Sequence, residues 1–185
     1  HARRQVGSTF KPFVYAVAFD RGGLKPNSPI SDDLIQIGNW SLQNSDGTYL
    51  GNQPAAVGLI RSRNTMSVRV GQIAGIPYIR GLAYELKFGD IPRSPVIALG
   101  AFEATPSTLT SAYSTFAMGG VNLSPFLISK ITLADGTVLY SHENAGKRLF
   151  PERVAWTVSN ILGKVLDEGT ATEARRLGYQ APAYG

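Results

Sequence analysis

The chain has no cysteine and only two histidines, His1 and His142, in 185 residues. The first absence excludes disulfides and thiolate metal sites, and the second leaves too little for a histidine metal centre or a Ser-His-Asp triad. Neither a metal nor another cofactor is expected. Long hydrophobic runs are lacking too. Residues 94–129 carry one charge, Glu103, but Pro95, Pro106, Pro125, the Gly119-Gly120 pair and many Ser and Thr residues interrupt any membrane span. Nor is there a signal peptide pattern, because a basic start runs straight into a polar motif; any targeting segment is expected outside these residues. A dense basic run is also missing. The net charge of +5 and pI near 9.6 would suit an anionic partner, yet Lys and Arg are scattered from Arg3 to Arg176, so nucleic acid is not an expected partner. What remains is a globular balance, 43% hydrophobic and 17% charged, in a length that suits one sizeable domain.

Periodicity predicts a helix from Ser8 to about Arg21, with Phe10, Phe13, Val14 and Val17 on a buried face and Gly22-Gly23 as its stop. An irregular stretch to Pro54 follows, in which Asn39, Asn44-Ser45-Asp46-Gly47 and Gly51 read as turns. Ile35, Ile37, Trp40 and Leu42 there form short strands or line a groove. Helices are expected over Ala55 to Arg61, from Asn64 to Gly75 with Met66, Val70, Ile73 and Ala74 inward, and from Pro77 to Gly89 with Ile79, Leu82, Ala83 and Leu86 inward. Another follows Pro106, its stripe being Leu109, Ala112, Tyr113, Phe116 and Ala117. The runs 126–133 and 137–140 read as a hairpin with a two-residue turn at Asp135-Gly136. Pro151 opens the last long helix, with Val154, Val158, Ile161, Leu162 and Val165 inward and Gly169 as its end. The apolar stripes are read as core.

The chemistry concentrates at Ser8-Thr9-Phe10-Lys11. A serine hydroxyl becomes a useful nucleophile when a neighbouring base takes its proton, and a lysine kept neutral by its surroundings is such a base. The i, i+3 spacing puts both groups on one helical face. Pro12 fits a helix start. In the plainer alternative Ser8 is an N-cap and Lys11 a solvated lysine. A second element, Ser62-Arg63-Asn64, sits between two predicted helices, where a loop would present a second hydroxyl and an amide to a cleft. Serine and asparagine also cap helices for structural reasons, so Ser-x-Asn gains weight only together with Ser8 and Lys11.

These residues resemble the transpeptidase domain of penicillin-binding proteins, most closely the bifunctional class A type, whose active-site motifs are Ser-x-x-Lys, Ser-x-Asn and Lys-Thr-Gly. The resemblance runs through residues 4–15 and 62–69, Gly100 to Pro106, Tyr113 to Gly120 and Asp167 to Ala171. It implies an α+β fold of the penicillin-binding and serine β-lactamase-like kind, here mostly the helical part, over residues 1–185 as a partial transpeptidase domain. By resemblance, Ser8 would attack the penultimate D-alanine of a peptidoglycan stem peptide and Lys11 would accept its proton. Ser62 would pass a proton to the leaving amine and Asn64 would hydrogen-bond the substrate. A neighbouring stem peptide would then attack the ester, and β-lactams would acylate Ser8 by imitating D-Ala-D-Ala. Ser8, Ser62 and Asn64 are thus also the expected substrate contacts. Arg63 stands where Ser-Asp-Asn has aspartate, which points to the class A type.

No Lys-Thr-Gly occurs in the chain. The resemblance implies that it would follow Gly185, and that strands before Arg3 and after Gly185 build most of the central antiparallel sheet. The isolated 185 residues are therefore expected to expose apolar surface and to acylate feebly. An extracytoplasmic location is implied, with membrane contact only through parts preceding residue 1. Two alternatives stay open: a D,D-carboxypeptidase or β-lactamase-like serine hydrolase using the same Ser8 and Lys11, and a non-catalytic module that binds peptidoglycan or a partner.

Overall fold

The computed structural model describes residues 2–185. Strand β1 (Arg4–Gln5) leads into a 3-10 turn, Gly7–Phe10, and then helix α1 (Lys11–Arg21). The helix predicted to begin at Ser8 thus begins at Lys11, with Pro12 in its first turn. A tighter turn ahead of it eclipses residues i and i+3, which stacks Ser8 over Lys11. Every residue of α1 from Lys11 to Phe19 is buried, not one face alone. The reason is position: the helices Ala55–Ile60, Asn64–Ala74, Ile76–Glu85 and Glu152–Gly163 all pack against it, and a helix apolar nearly all round belongs in a core.

Residues 29–54 form two nested antiparallel pairs. β2 (Pro29–Ser31) pairs with β5 (Asn52–Pro54), and between them β3 (Ile35–Ile37) pairs with β4 (Trp40–Leu42) with Ile35 opposite Leu42. Ile35 and Leu42 are buried, so the pair faces the core. Helices α2 (Ala55–Ile60), α3 (Asn64–Ala74) and α4 (Ile76–Glu85) follow. α3 lies against α1 with Met66, Val68, Val70 and Ala74 buried, whereas Ile73, predicted inward, is 42% exposed beside Gly22 at the surface. α4 does not run to Gly89. Lys87 takes the left-handed position after it, with Lys87 N–H on Tyr84 O and Phe88 N–H on Ala83 O, a Schellman ending in which Phe88 turns back into the core.

A 3-10 segment, Pro95–Leu99, carries the chain to β6 (Glu103–Ala104), which pairs with β1 beside the start of α1. Thr105 caps α5 (Pro106–Ala117) by accepting from Thr108 N–H. Ala112 and Phe116 are buried as predicted, Leu109 and Tyr113 are half-buried and Ala117 is exposed. Phe10, Phe13, Phe88, Phe102, Tyr113 and Phe116 form one edge-to-face and tilted aromatic cluster, with ring centroids 4.8–6.2 Å apart, that ties α5 and the 88–102 loop to α1.

β7 (Val121–Asn122) pairs with β10 (Lys147–Arg148), and between them β8 (Lys130–Thr132) and β9 (Val138–Ser141) make a hairpin. Residues 126–128, predicted as part of that strand, stay outside the ladder, which Ser129 O still extends by accepting from His142 N–H at 2.8 Å; Phe126 instead stacks on His142 at 4.2 Å. The turn is longer than two residues: Gly136 N–H donates to Leu133 O, and Gly136 holds a left-handed backbone ahead of a bulge. Both strands are exposed throughout. The chain closes with α6 (Glu152–Gly163), α7 (Val165–Glu168) and α8 (Thr172–Arg176). Val154, Val158, Ile161, Leu162 and Val165 are buried as predicted, but Lys164 breaks the helix before Val165. Among the described residues every sheet has two strands, and no helix is long and apolar enough to cross a membrane.

One close contact sets a sharp test of this packing. Alanine normally favours a helix over glycine by about 1 kcal/mol. A Cβ on Gly58 of α2, however, would run into the Tyr15 hydroxyl and lie 2.9 Å from Met66 Cβ. Gly58→Ala is expected to destabilise the fold by about 1–3 kcal/mol in chemical denaturation, and adding Tyr15→Phe should recover part of that loss.

Candidate active site

Lys11 is 1% exposed, and its amine is placed by the rigid core helix. Nζ lies 2.7 Å from Ser62 O, 3.0 Å from Ser62 Oγ and 2.8 Å from Asn64 Oδ1. Burial, and then the Arg63 cation, bring its pKa down from the ordinary lysine value to about 8. Ser62 O and Asn64 Oδ1 only accept, so a neutral amine gives them its two protons and keeps a lone pair for a hydroxyl. Ser62 Oγ is placed to donate to that lone pair when the amine is neutral and to accept when it is charged.

Ser8 is exposed, in the 3-10 turn over Lys11, and its side chain makes no hydrogen bond among the described residues. It is not an N-cap: Val6 holds that position, without a side-chain cap. A cavity of about 180 Å³ brings Ser8, Lys11 and Ser62 together with Tyr113, Leu162 and Thr170. Asn64 joins through Lys11. The structure therefore gathers all the sequence-selected residues at one place, with an exposed hydroxyl over a buried amine. A larger groove of about 520 Å³ shares Tyr113 and Leu162 with this cavity and continues over Phe116 and Trp156, mainly apolar.

The turn between α2 and α3 holds Ser62 by a Schellman ending. Ser62 N–H donates to Leu59 O and Arg63 N–H to Gly58 O, which puts Ser62 at the left-handed position with φ of 52°. Glycine is the usual occupant, and a side chain there costs about 1–2 kcal/mol. Serine's presence is explained by its hydroxyl, which meets Lys11. Behind the turn, Arg63 is buried against Asp32 and Asp46. Asp46 is held down to about 2 by the Thr48 N–H and hydroxyl and then by Arg63. Burial pushes the Asp32 carboxyl up, and hydrogen bonds from Arg63, Thr65, Asn44 and the Leu50 N–H more than offset this, leaving it below the usual carboxylate range.

Several of these contributors were not legible as site residues. Asn44 and Asp46 read as turn formers, and Tyr113 read as core. Tyr113 instead lines the cavity, and its hydroxyl donates to Thr9 O at 2.8 Å, bracing the Ser8 turn. Thr170 lines the same cavity, and Gly169 before it packs against α2. Gly169 has its α-carbon against Ile60 O, an approach that a Cβ would block.

The sequence matches the family described as penicillin binding protein transpeptidase domain over residues 2–183. The chain belongs to that family. It is 39% identical over 150 residues to penicillin-binding protein 1A of Pseudomonas aeruginosa, covering 75% of this chain and 18% of that protein. To penicillin-binding protein 1A of Neisseria lactamica it is 35% identical over 194 residues, covering 96% of this chain and 24% of that one. The chain thus spans a quarter or less of the length of these relatives. Among solved structures, penicillin-binding protein 1A from Haemophilus influenzae superposes with a TM-score of 0.81 at 25% identity, covering 97% of this chain and 33% of that one. This likeness agrees with the expected α+β transpeptidase fold.

Two measurements probe the site without any substrate. Below about pH 8 Lys11 is charged in folded and unfolded chains alike; above it the folded chain sheds the proton first, so stability rises with pH towards the ordinary lysine value. The Tyr15 and Tyr113 phenols, pushed up by burial, work in the opposite sense only above about pH 10. The stability of wild type relative to Lys11→Met should therefore climb by roughly 2 kcal/mol between pH 8 and 10. At Ser62, both Ser62→Gly and Ser62→Ala lose the hydroxyl but only alanine keeps the backbone strain. The glycine variant should be the more stable by about 1–2 kcal/mol.

Proposed function

We propose that this chain carries the acylating centre of a peptidoglycan D,D-transpeptidase, with Ser8 as nucleophile. The observation that supports it most is the buried Lys11 amine, brought down to about 8, beneath an exposed Ser8 in one cavity with Ser62. A lysine in that state is a general base near neutral pH. In the proposed reaction Lys11 takes the Ser8 proton as Oγ attacks the carbonyl carbon of the penultimate D-alanine. The amide C–N bond breaks, the terminal D-alanine leaves as the amine, and Ser62 passes it the proton. An ester on Ser8 remains. The amino group of a second stem peptide attacks that ester, the bond from the acyl carbon to Ser8 Oγ breaks, the amine's proton returns through Lys11 to Ser8 Oγ, and the cross-link forms. Asn64 is proposed to hold the substrate amide while its Oδ1 orients Lys11. β-Lactams acylate the same hydroxyl.

Arg63 within Ser-Arg-Asn, and relatives named penicillin-binding protein 1A, favour the class A type and an extracytoplasmic setting. Stem peptides and β-lactams are the proposed partners. Hydrolytic use of the same acyl-enzyme differs only in the acceptor.

The test uses the full-length protein that carries this chain. A fluorescent penicillin should label it at Ser8, with a rate that rises with pH through about 8, and Ser8→Ala should not label. With a stem-peptide donor and an amine acceptor, transfer gives the cross-linked product and hydrolysis the free acid. Persistent labelling of the Ser8→Ala protein would overturn the nucleophile assignment.

A further inference from the structure

Ser62 and Asn64 have both turned their side chains to Lys11, and this leaves a structural debt at the start of α3. The first N–H groups of a helix need acceptors, and serine or asparagine beside the start commonly supplies them. Here neither does. Asn44, twenty residues upstream in the β4–β5 loop, accepts from Asn64 N–H at 2.8 Å and Thr65 N–H at 3.3 Å through one Oδ1. Asn44 is buried, and its Nδ2 donates to Asp32 Oδ1 at 2.9 Å and Thr48 O at 3.1 Å.

Asp32 is the hub. It is fully buried, and its Oδ1 also accepts from Thr65 Oγ1 at 2.6 Å. Its Oδ2 accepts from Arg63 Nε at 2.9 Å and Leu50 N–H at 3.0 Å, and forms an ion pair with Arg63 Nη2 at 2.7 Å. Arg63, wedged between Ser62 and Asn64 and only 5% exposed, spends its remaining donors on Asp46 at 2.7 Å and on Thr48 O. The 32–50 loop thus grips the Arg63 side chain, between Ser62 and Asn64, and the backbone N–H groups of Asn64 and Thr65. Asp32 and Asn44 themselves line none of the cavities around Ser8.

Burying this ion pair is not a route to stability, since apolar residues of like volume commonly do as well; buried pairs are better attested as devices that fix one arrangement. We propose that Asp32 and Asn44 are positioning residues for acyl transfer, holding the Ser62 and Asn64 side chains on Lys11 by clamping Arg63 and the first turn of α3. The proposal rests on Ser8 being the acylated residue. Hydrogen-bond partners one step removed from the reacting groups are worth about 10–100-fold at metal sites, which sets the scale expected here.

The groups that face Lys11 decide what its titration reports. They are Ser62, Asn64 and the Arg63 cation from the α2–α3 turn, and Tyr113 across the cavity. Among the described residues no carboxylate forms an ion pair with Lys11, and Asp32 and Asp46 are both bound to Arg63. Removing the Arg63 charge must therefore move the Lys11 titration upward; admitting water to the site moves it the same way, and Arg63→Lys, which keeps the charge, separates the two causes.

The experiment measures the rate constant for acylation by a fluorescent penicillin from pH 6 to 10 in the full-length protein, alongside thermal melting. Asn44→Ala and Asp32→Asn should acylate about 10–100-fold more slowly than wild type at the pH plateau, in protein that still melts cooperatively. Arg63→Met should in addition shift the midpoint of the pH profile up from near 8, and Arg63→Lys, which keeps the charge, should restore the midpoint without restoring the rate. If Asp32→Asn fails to fold, Asn44→Ala and the Arg63 pair carry the test alone. Wild-type rates in Asn44→Ala with an unmoved midpoint in Arg63→Met would overturn the proposal while leaving Ser8 labelling intact. Absence of Ser8 labelling in wild type would instead overturn the acyl-transfer function on which it rests.

Discussion

The burial of one amine governs this molecule. Removing the Lys11 charge from water costs on the order of 3 kcal/mol, the equivalent of bringing its pKa from the ordinary value to about 8. The fold tolerates that cost because α1 is packed against α2, α3, α4 and α6, which leave Lys11 1% exposed and lining the cavity it shares with Ser8. Its three acceptors all come from one turn, Ser62 to Asn64. An amine so placed is already near the protonation state that a general base needs, and the rest of the site is arranged around keeping it there.

Two strained or expensive choices follow from that arrangement. Ser62 occupies a left-handed position that glycine would fill with less strain, and Arg63 sits buried beside an already disfavoured lysine cation. Each makes sense for chemistry and neither for stability alone. Lys87 shows the contrast: it also stands in the left-handed position of a Schellman ending, but its side chain makes no hydrogen bond among the described residues. What sets Ser62 apart is its hydroxyl on Lys11, in a turn whose two ends are pinned, by α2 on one side and by Asn44 and Asp32 on the other.

Hydrophobic packing sets the distances that this chemistry requires. The aromatic cluster from Phe10 to Phe116 anchors the 3-10 turn that carries Ser8, and Tyr113 ties the same turn to α5 through Thr9 O. The α1–α3 contact brings residues separated by more than fifty positions to hydrogen-bond distance. Against this, the β8–β9 hairpin is exposed along both strands and touches the rest of the chain little, so it contributes nothing to the geometry at Lys11.

Local chemistry and periodicity were enough to place most helices, because apolar residues at helical spacing and the Pro and Gly boundaries act within a few residues of where they stand. They also singled out Ser8, Lys11, Ser62 and Asn64 as a set worth joining. The errors share a cause. Whether α1 is buried on one face or all round, whether Ile73 points in, and whether Lys87 or Gly89 ends a helix depend on which neighbours arrive from elsewhere in the chain. The same holds for the 32–50 loop. In sequence Asn44-Ser45-Asp46-Gly47 is a turn, and Asp32 one acid among several. Only the tertiary structure puts Asn44 on the first N–H groups of α3 and Asp32 under Arg63, because hydrogen bonds between segments some twenty or thirty residues apart leave no periodic or compositional trace.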